Sequence, residues 1–290
     1  MSDTVTALSR FLAEQVAKTA PSLVSIRAGR SGSTGFVWRP GLVVTAEESL
    51  PEEDSFPAIT ADGETITAHR AGRDASTDIA LLRVDNTTLP AVTLTSAPVA
   101  VGSLALVAGA EEGSPTAALG VVARSSGAWR SLRGGEIDAR VELDTRLRRS
   151  AEGGLVLDAA GQAIGMAVFG PRRRTLVVPA ATIERVANAL ATHGKIARGY
   201  LGLGMQPVAL DGGNRAGIMV MSVDPQGPGA AAGLHQGDII LACNGAPVAG
   251  IRPLLRQLGS DSIGTSITLE ISRSGQIQPV RVTVGERPAG

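Results

Sequence analysis

The stretch Arg149-Ser150-Ala151-Glu152-Gly153-Gly154-Leu155-Val156 says most about the fold of this chain. Its paired glycines lie between an arginine-rich segment and a strand-prone run that begins at Leu155. Around it, the sequence from residue 22 to about residue 178 consists mainly of short β-prone runs separated by Gly, Pro, Asp and Ser. Runs of this length and spacing predict an antiparallel barrel or sandwich.

Composition excludes several classes of protein. The 290 residues carry 27 basic and 27 acidic side chains, so no overall field favours nucleic acid or an anionic membrane. Cys243 is the only cysteine, which rules out an intrachain disulfide and a cysteine-based metal site. No apolar run approaches the roughly 18 residues of a membrane span. We expect no nucleic-acid partner, no membrane span and no cofactor.

The pattern of apolar residues divides the chain into segments. Helical spacing predicts an amphipathic helix over residues 4–19, within an N-terminal segment of residues 1–20, and a second helix over 181–192. A barrel-like domain is expected over residues 21–192 and a linker over 193–198. Residues 199–290 form a second β-rich unit with one short helix predicted at 253–258.

Several segments, taken in order, identify a family. Residues 77–84 read Thr-Asp-Ile-Ala-Leu-Leu-Arg-Val, and Gly153-Gly154 is followed by a turn at 158–161. The second unit contains the runs Ala232–Ile240 and Asn244–Val248, which read AGLHQGDII and NGAPV. Together they resemble the HtrA family, trypsin-like serine proteases with a C-terminal PDZ domain. The resemblance implies a mainly β fold: a trypsin-like double β-barrel followed by an α+β PDZ domain, with the N-terminal helix in front.

The resemblance also locates the catalytic positions. Asp78 matches the triad aspartate, but Glu48 stands where the histidine should be and Glu152 where the serine should be. Ser150 occupies the position of the glycine that helps to form the oxyanion hole. Such a protease needs a serine nucleophile, a histidine base and an orienting aspartate. Neither the chain's three histidines nor the nearby serines lie at the required positions, so we expect no functional catalytic residue.

The three carboxylates at Glu48, Asp78 and Glu152 allow three interpretations if the barrel brings them together, because like charges in one place need compensation. A divalent cation could bind them, one carboxyl could keep its proton, or arginines of the same loop could pair with them while other side chains point into water. We expect the last arrangement, with Arg146, Arg148 or Arg149 as partners. The basic segment 169–176 is expected to be a solvated hairpin tip.

The second unit is expected to bind peptides. PDZ domains add a peptide to a sheet edge and hold its C-terminal carboxylate with backbone N–H groups. The resemblance places the carboxylate loop at Tyr200-Leu201-Gly202-Leu203 and the pairing strand at 204–208, where Pro207 limits how far pairing runs. Leu254, Leu255 and Leu258 either line the pocket for an apolar terminal side chain or belong to the core.

The leading functional hypothesis is a catalytically inactive HtrA-like pseudoprotease that acts as a scaffold or regulator by binding protein or peptide C-termini. The alternatives are an active serine endopeptidase of protein quality control with an unrecognised triad, and a metal-binding barrel. The first residues lack the basic start and apolar core of a signal peptide, which predicts a cytoplasmic protein, whereas the resemblance implies a periplasmic one. It also implies a homo-oligomer, a trimer in the relatives.

Overall fold

The computed structural model describes residues 2–28, 31–85, 88–197, 199–210, 215–248, 250–259 and 262–286. The chain forms two compact units. The first comprises Met1–Ser131 and Glu136–Ile196, and the second comprises Leu132–Gly135 and Ala197–Gly290. The change of unit after Ile196 falls inside the expected linker.

The N-terminal helix α1 spans Ser2–Thr19 and ends where Pro21 enters a 3₁₀ turn, Ala20–Ser22. Pro21 cannot continue an α-helix because its ring removes a backbone donor. Leu12 and Val16, one turn apart, pack against the apolar core of the first unit. The predicted helix over residues 4–19 is confirmed.

The first unit begins with a closed barrel in the strand order β1-β2-β3-β6-β5-β4. Its six antiparallel strands are β1 (Leu23–Ala28), β2 (Ser31–Arg39), β3 (Leu42–Thr45), β4 (Ser55–Thr60), β5 (Thr65–Asp74) and β6 (Ile79–Val84). Side chains alternate along a strand, and here both faces are apolar. In β3, for example, Val43 lies in the barrel interior, whereas Val44 belongs to a cluster that includes residues of the following barrel.

A second closed barrel follows in the order β11-β14-β13-β12-β7-β8. Its strands are β7 (Leu104–Glu111), β8 (Ser114–Ser126), β11 (Arg140–Asp144), β12 (Leu155–Asp158), β13 (Ala163–Phe169) and β14 (Thr175–Pro179), and a small hairpin is formed by β9 (Trp129–Arg130) and β10 (Glu136–Ile137). Val107, Val156 and Val177 lie in its buried core. The predicted double barrel is confirmed.

Helix α2, Ala180–His193, follows the second barrel and packs Ile183, Val186 and Leu190 into the core shared by the barrels. Its end at Gly194 has a left-handed backbone with φ of 69°, which glycine adopts without steric cost. The helix therefore extends one residue beyond the predicted 181–192 at each end.

The second unit is a mixed α and β domain. Its main sheet has the order β16-β17-β18-β20-β21, with β19 paired to β18. The strands are β15 (Gly199–Tyr200), β16 (Leu203–Leu210), β17 (Arg215–Val223), β18 (Ile239–Cys243), β19 (Ala246–Pro247), β20 (Ser266–Arg273), β21 (Gln276–Thr283) and β22 (Gly285–Glu286). Helices α3 (Pro228–Ala231) and α4 (Ile251–Leu255) accompany the sheet. The short helix thus begins two residues before the predicted 253–258 and ends three residues earlier.

No helix within the described residues is both long enough and apolar enough to cross a membrane.

Candidate functional site

Asp78 is held at the entrance to β6 by a tight turn. The carboxylate of Asp74 accepts hydrogen bonds from the backbone N–H of Ser76 (3.1 Å) and the hydroxyl of Thr77 (2.8 Å), which closes the turn before it. Asp78 itself has a left-handed backbone with φ of 58°, which aspartate tolerates better than most residues. This turn fixes the direction of the half-buried Asp78 side chain.

Glu48 lies beside Asp78. It sits in a 3₁₀ turn, Glu47–Ser49, that follows β3. The backbone N–H of Glu48 donates to Asp78 Oδ1 at 2.7 Å, and the N–H of Glu47 donates to the Asp78 carbonyl at 3.4 Å. Asp78 thus accepts a backbone donor from Glu48, the residue that the family resemblance aligns with the histidine position.

Glu152 completes the group from the second barrel. A 3₁₀ turn, Arg149–Ala151, leads into it, and the residue is only 6% exposed. The Thr34 N–H donates to the Glu152 carbonyl at 2.8 Å. At Gly153, with φ of 82°, a Cβ would lie 2.1 Å from the Thr34 carbonyl oxygen, so only glycine fits. This close contact holds the Glu152 loop against the first barrel.

The three carboxylates act on one another electrostatically. Burial, with the charges of Glu48 and Glu152, raises the pKa of Asp78 to about 8, against the opposing hydrogen bond from the Glu48 N–H. Burial also raises the pKa of Glu152, while the Phe169 N–H and the charge of Arg149 lower it. Compensation of the three carboxylates by Arg146, Arg148 or Arg149 stays a prediction.

The three histidines lie on separate elements, and the serine next to Glu48 is bonded within its own turn. His69 lies on β5 between Ser55 and Arg83, with its side chain exposed. His193 ends helix α2 and His235 belongs to the second unit. The hydroxyl of Ser49 donates to the Ala46 carbonyl at 2.8 Å. We therefore find no serine and histidine brought together among these residues.

The backbone around Glu152 carries a feature that the sequence did not predict. The N–H of Glu152 donates to the Arg149 carbonyl at 3.1 Å within the 3₁₀ turn, and the Ser150 carbonyl accepts from the Thr34 hydroxyl at 2.6 Å. In a trypsin-like protease the N–H at the nucleophile position is one of the two oxyanion donors. Here that donor is engaged inside its own loop.

Within the described part of the chain, no group of three or more His, Cys, Asp or Glu side chains is arranged to hold a metal ion. The Glu48, Asp78 and Glu152 carboxylates are no exception, and the structure gives no support to the metal-binding alternative.

In the second unit, β16 lies at the end of the sheet and pairs through its described residues with β17. Helix α4 lies against it. The loop before β16 turns two carbonyls inward: that of Leu201 accepts from Gly229 N–H (2.7 Å) and that of Gly202 from Asp224 N–H (2.8 Å). The Tyr200 hydroxyl donates to the Asp224 carboxylate at 2.9 Å. Gly202 has φ of 71°, and a Cβ there would lie 2.9 Å from Gly227 Cα.

The predicted pocket residues divide into two groups. Leu201, Leu254 and Leu258 are at most 5% exposed and belong to the core of the second unit. Leu203 is half-buried on β16, and Leu255 is 48% exposed at the end of α4. For Leu254 and Leu258 the core interpretation is therefore the one that the structure favours.

Comparison with known proteins gives matches to both units. Residues 33–166 match the trypsin-like peptidase domain family, and residues 199–284 match the PDZ domain family. Similar proteins include two named "Probable periplasmic serine endoprotease DegP-like". The one from Rhizobium meliloti is 28% identical over 91% of this chain and 55% of the relative, and the one from Pseudomonas savastanoi is 29% identical over 90% and 57%. The chain thus spans about half the length of these relatives.

Solved structures share the fold across both units. The HtrA-type protease AlgW with a decapeptide has a TM-score of 0.71 and 23% identity, covering 96% of this chain and 99% of its own. The serine endoprotease from Yersinia pestis has a TM-score of 0.71 and 24% identity, covering 96% and 98%.

Proposed function

The chain belongs to the HtrA family, which joins a trypsin-like peptidase domain to a PDZ domain, and we propose that its barrel unit does not hydrolyse peptides. In this proposal the chain acts as a scaffold or regulator that binds the C-termini of proteins or peptides through its PDZ domain. The observation that carries the proposal is Glu152, which occupies the nucleophile position while its N–H is bonded to the Arg149 carbonyl.

The size of the expected loss supports this proposal. Removing a triad member from such an enzyme costs about 10⁴–10⁶ in rate. Removing one oxyanion donor costs about 10²–10³. A glutamate at position 152 cannot act as the serine does, and Glu48 beside Asp78 supplies no neutral imidazole to take the proton. Because the nucleophile, the base and one oxyanion donor are all affected, residual hydrolysis should not exceed the background.

Hydrolysis of casein and of a fluorogenic peptide tests the proposal directly. We expect the wild-type chain to match the buffer blank and the Glu152→Ala variant to behave identically. Wild-type cleavage that disappears in Glu152→Ala contradicts the proposal, since it assigns catalysis to the glutamate. Cleavage by both the wild type and Glu152→Ala also contradicts the proposal, provided that an Asp78→Asn variant abolishes this cleavage. That control excludes a contaminating protease.

A serine endopeptidase is the second candidate, favoured by the names of the relatives. A covalent serine-directed phosphonate probe distinguishes it, followed by peptide mass mapping. Labelling of Ser49 or Ser150 by the probe in the folded chain, but not in the unfolded chain, establishes the serine endopeptidase. Absence of any labelled serine supports the pseudoprotease.

Peptide binding by the PDZ domain is supported by the geometry before β16. The inward-turned carbonyls of Leu201 and Gly202 leave the opposite side of this loop to its N–H groups, which is the arrangement that captures a carboxylate. The edge position of β16 supplies a strand for the peptide to join. Pro207 has no N–H to donate, which confines pairing to the residues near the loop.

A pool of peptides with free C-termini, compared with the same pool amidated, tests this binding by calorimetry. We expect amidation to abolish the heat of binding. Gly202→Ala should do the same, because its Cβ meets Gly227 and its backbone is left-handed. Gly233→Ala is the matched control, since Gly233 has φ of 78° with nothing within 4 Å of the added Cβ. Equal binding of amidated peptides contradicts C-terminal recognition.

We further infer an extracytoplasmic location from the names of the relatives. Alkaline phosphatase fusions test the compartment.

We also infer self-association through helix α1. Val5 is 68% and Leu8 41% exposed on that helix, and exposed apolar side chains at helical spacing favour a partner. Sedimentation of the wild type against Val5→Ser/Leu8→Ser tests the assembly, and an unchanged mass contradicts it.

A further inference from the structure

A buried glutamate on the second barrel is surrounded by arginines from three separate segments. The Glu142 side chain is 4% exposed, and its carboxylate accepts from Arg140 Nε at 2.7 Å and Arg174 Nη1 at 2.9 Å. The guanidinium of Arg124 lies 3.9 Å away. We call Arg124, Arg140 and Arg174 the arginine cluster. Its members come from β8, β11 and the turn before β14, which the sheet places side by side.

The cluster carries more positive charge than Glu142 neutralises. Residues 140–152 and 169–176 together hold seven arginines and three carboxylates, and Arg124 adds to this excess. The two segments meet at one end of the barrel, where the Thr175 hydroxyl donates to the Thr145 carbonyl at 2.8 Å. Burial disfavours the charged form of Glu142, yet hydrogen bonds from Arg174 and Arg140 keep its pKa below the usual value. The cluster therefore stabilises a carboxylate within the protein itself.

The guanidinium groups are oriented in advance and remain accessible. Arg140 lies over the Trp129 ring, 5.0 Å from its centre, and Glu142 fixes its Nε. Side-chain exposure is 55% for Arg124 and 62% for Arg174. A guanidinium has five N–H donors in a planar fork, so one bond to Glu142 leaves others that can reach a second carboxylate.

We propose that the arginine cluster is a second binding surface, which takes an extended acidic polypeptide segment with carboxylates on alternate residues. Arg124 and Arg174 come from the two sides of β11, about 10 Å apart at the backbone, and both reach towards Glu142. Their guanidinium groups are therefore closer together than that, which suits side chains two residues apart in an extended peptide, about 7 Å. A nucleic acid fits this surface less well for two reasons. The chain has no net charge, and the Trp129 ring is already covered by Arg140, so that face of the ring is not available to stack on a base. This surface goes beyond the PDZ function and needs no C-terminal carboxylate.

Fluorescence anisotropy with the full chain tests the proposal, using a short peptide with glutamate at every second position. Both ends of the peptide are capped, so that the PDZ domain has no free carboxylate to capture. We expect binding that weakens with added salt, because exposed ion pairs are screened. Arg124→Ala/Arg174→Ala should weaken it about tenfold, and Arg83→Ala, a matched exposed arginine on β6, should not.

A gain of binding separates recognition from a structural role. Glu142→Gln keeps the shape of the side chain and removes the competing carboxylate, so affinity for the peptide should rise several-fold. Equal affinity of the wild type and the double arginine variant overturns the proposal. So does displacement of the peptide by inorganic phosphate or a single-stranded oligonucleotide at lower concentration than by unlabelled peptide, since the surface then prefers phosphate.

Discussion

Asp238 in the PDZ unit and Asp78 in the barrel unit have opposite electrostatic surroundings. In the PDZ unit, Asp238 is 1% exposed and accepts from Arg273 Nε (2.8 Å) and Nη2 (2.7 Å), and these hydrogen bonds lower its pKa. In the barrel unit, burial and the neighbouring carboxylates Glu48 and Glu152 raise the pKa of Asp78 to about 8. The first aspartate has a cation opposite it, and the second has acids.

This difference distinguishes a carboxylate in an ion pair from a carboxylate whose charged neighbours are also acids. An enclosed charge is normally paired, and positions that break this rule are usually functional or derived from a function. A triad aspartate has a histidine beside it, and Asp78 accepts from the backbone N–H of Glu48. The neighbours that shift the pKa of Asp78 are acids and not a cation.

The largest expected effect comes from restoring the missing groups. The variant Glu48→His/Ser150→Gly/Glu152→Ser should raise peptide hydrolysis about 10³-fold over the wild type, because it returns the base, the nucleophile and the oxyanion glycine together. The matched control carries Glu48→His/Ser150→Gly/Glu152→Ala and should stay inert. Initial rates on a fluorogenic peptide measure both. An inert restored variant means that other parts of the barrel also differ from an active protease.

In the PDZ unit the short helix α4 provides a sharper contrast between core and surface. Leu254→Ala should lower the unfolding free energy by about 3 kcal/mol, since Leu254 is 0% exposed. Leu255→Ala should change it by less than about 0.5 kcal/mol. Thiol labelling of Cys243 in denaturant measures this unit, because the chain's only cysteine is buried there. A large loss in Leu255→Ala contradicts the assignment.

The barrel unit should lose stability as the pH rises. Because the folded-state pKa of Asp78 is about 8 and the unfolded value about 3.8, the folded barrel binds more protons between these values. Its unfolding free energy should fall by about 2 kcal/mol at most from pH 6 to pH 8. Trp38 and Trp129, the chain's two tryptophans, both lie in this unit and report its unfolding. Asp78→Asn should flatten the dependence of the unfolding free energy on pH. If the variant keeps the same dependence, another group causes it.

The PDZ unit should show the opposite and smaller dependence. The pKa of Asp238 is lowered, so its contribution is present above about pH 4 and is lost as the pH falls through the folded-state value. Arg273→Met should lower the unfolding free energy at neutral pH, because it leaves the buried Asp238 carboxylate without its cation. The variant should also lose less unfolding free energy than the wild type as the pH falls. Cys243 labelling at the same denaturant activity measures this loss. A variant as acid-sensitive as the wild type contradicts the pairing.

Much of the fold could be predicted because its signals are local. The strand-prone runs at 23–26, 42–45 and 79–84 all lie in strands, and Gly194 ends α2 as predicted. Closure of the barrels could not be read from periodicity, because it depends on pairings such as β1 with β4 and β8 with β11. The family resemblance supplied that information.

The sequence predicted the parts of the candidate site that depend on side-chain identity, but not the backbone hydrogen bonds or the contacts between distant residues. Glu48, Asp78 and Glu152 stand out against the family pattern, and the charges of Glu48 and Glu152 raise the pKa of Asp78. The hydrogen bond from the Glu152 N–H has no such signal, since it depends on how the loop packs beneath Thr34. Glu142 and Arg174 are 32 residues apart, so their contact required the strand register. Leu254 and Leu258 shared one helical pattern with Leu255, which left core and surface unresolved.

The open edge at β16 has a consequence for solubility. A strand that offers its backbone to a peptide also offers it to the same strand of another molecule, and such pairing can extend into aggregates. Both barrels avoid this hazard by closing on themselves. On β16 the register shifts between Gly204 and Met205, and Pro207 follows within the strand. The register shift and the missing N–H interrupt a continuous ladder of hydrogen bonds, which makes the strand a poor template for fibril growth.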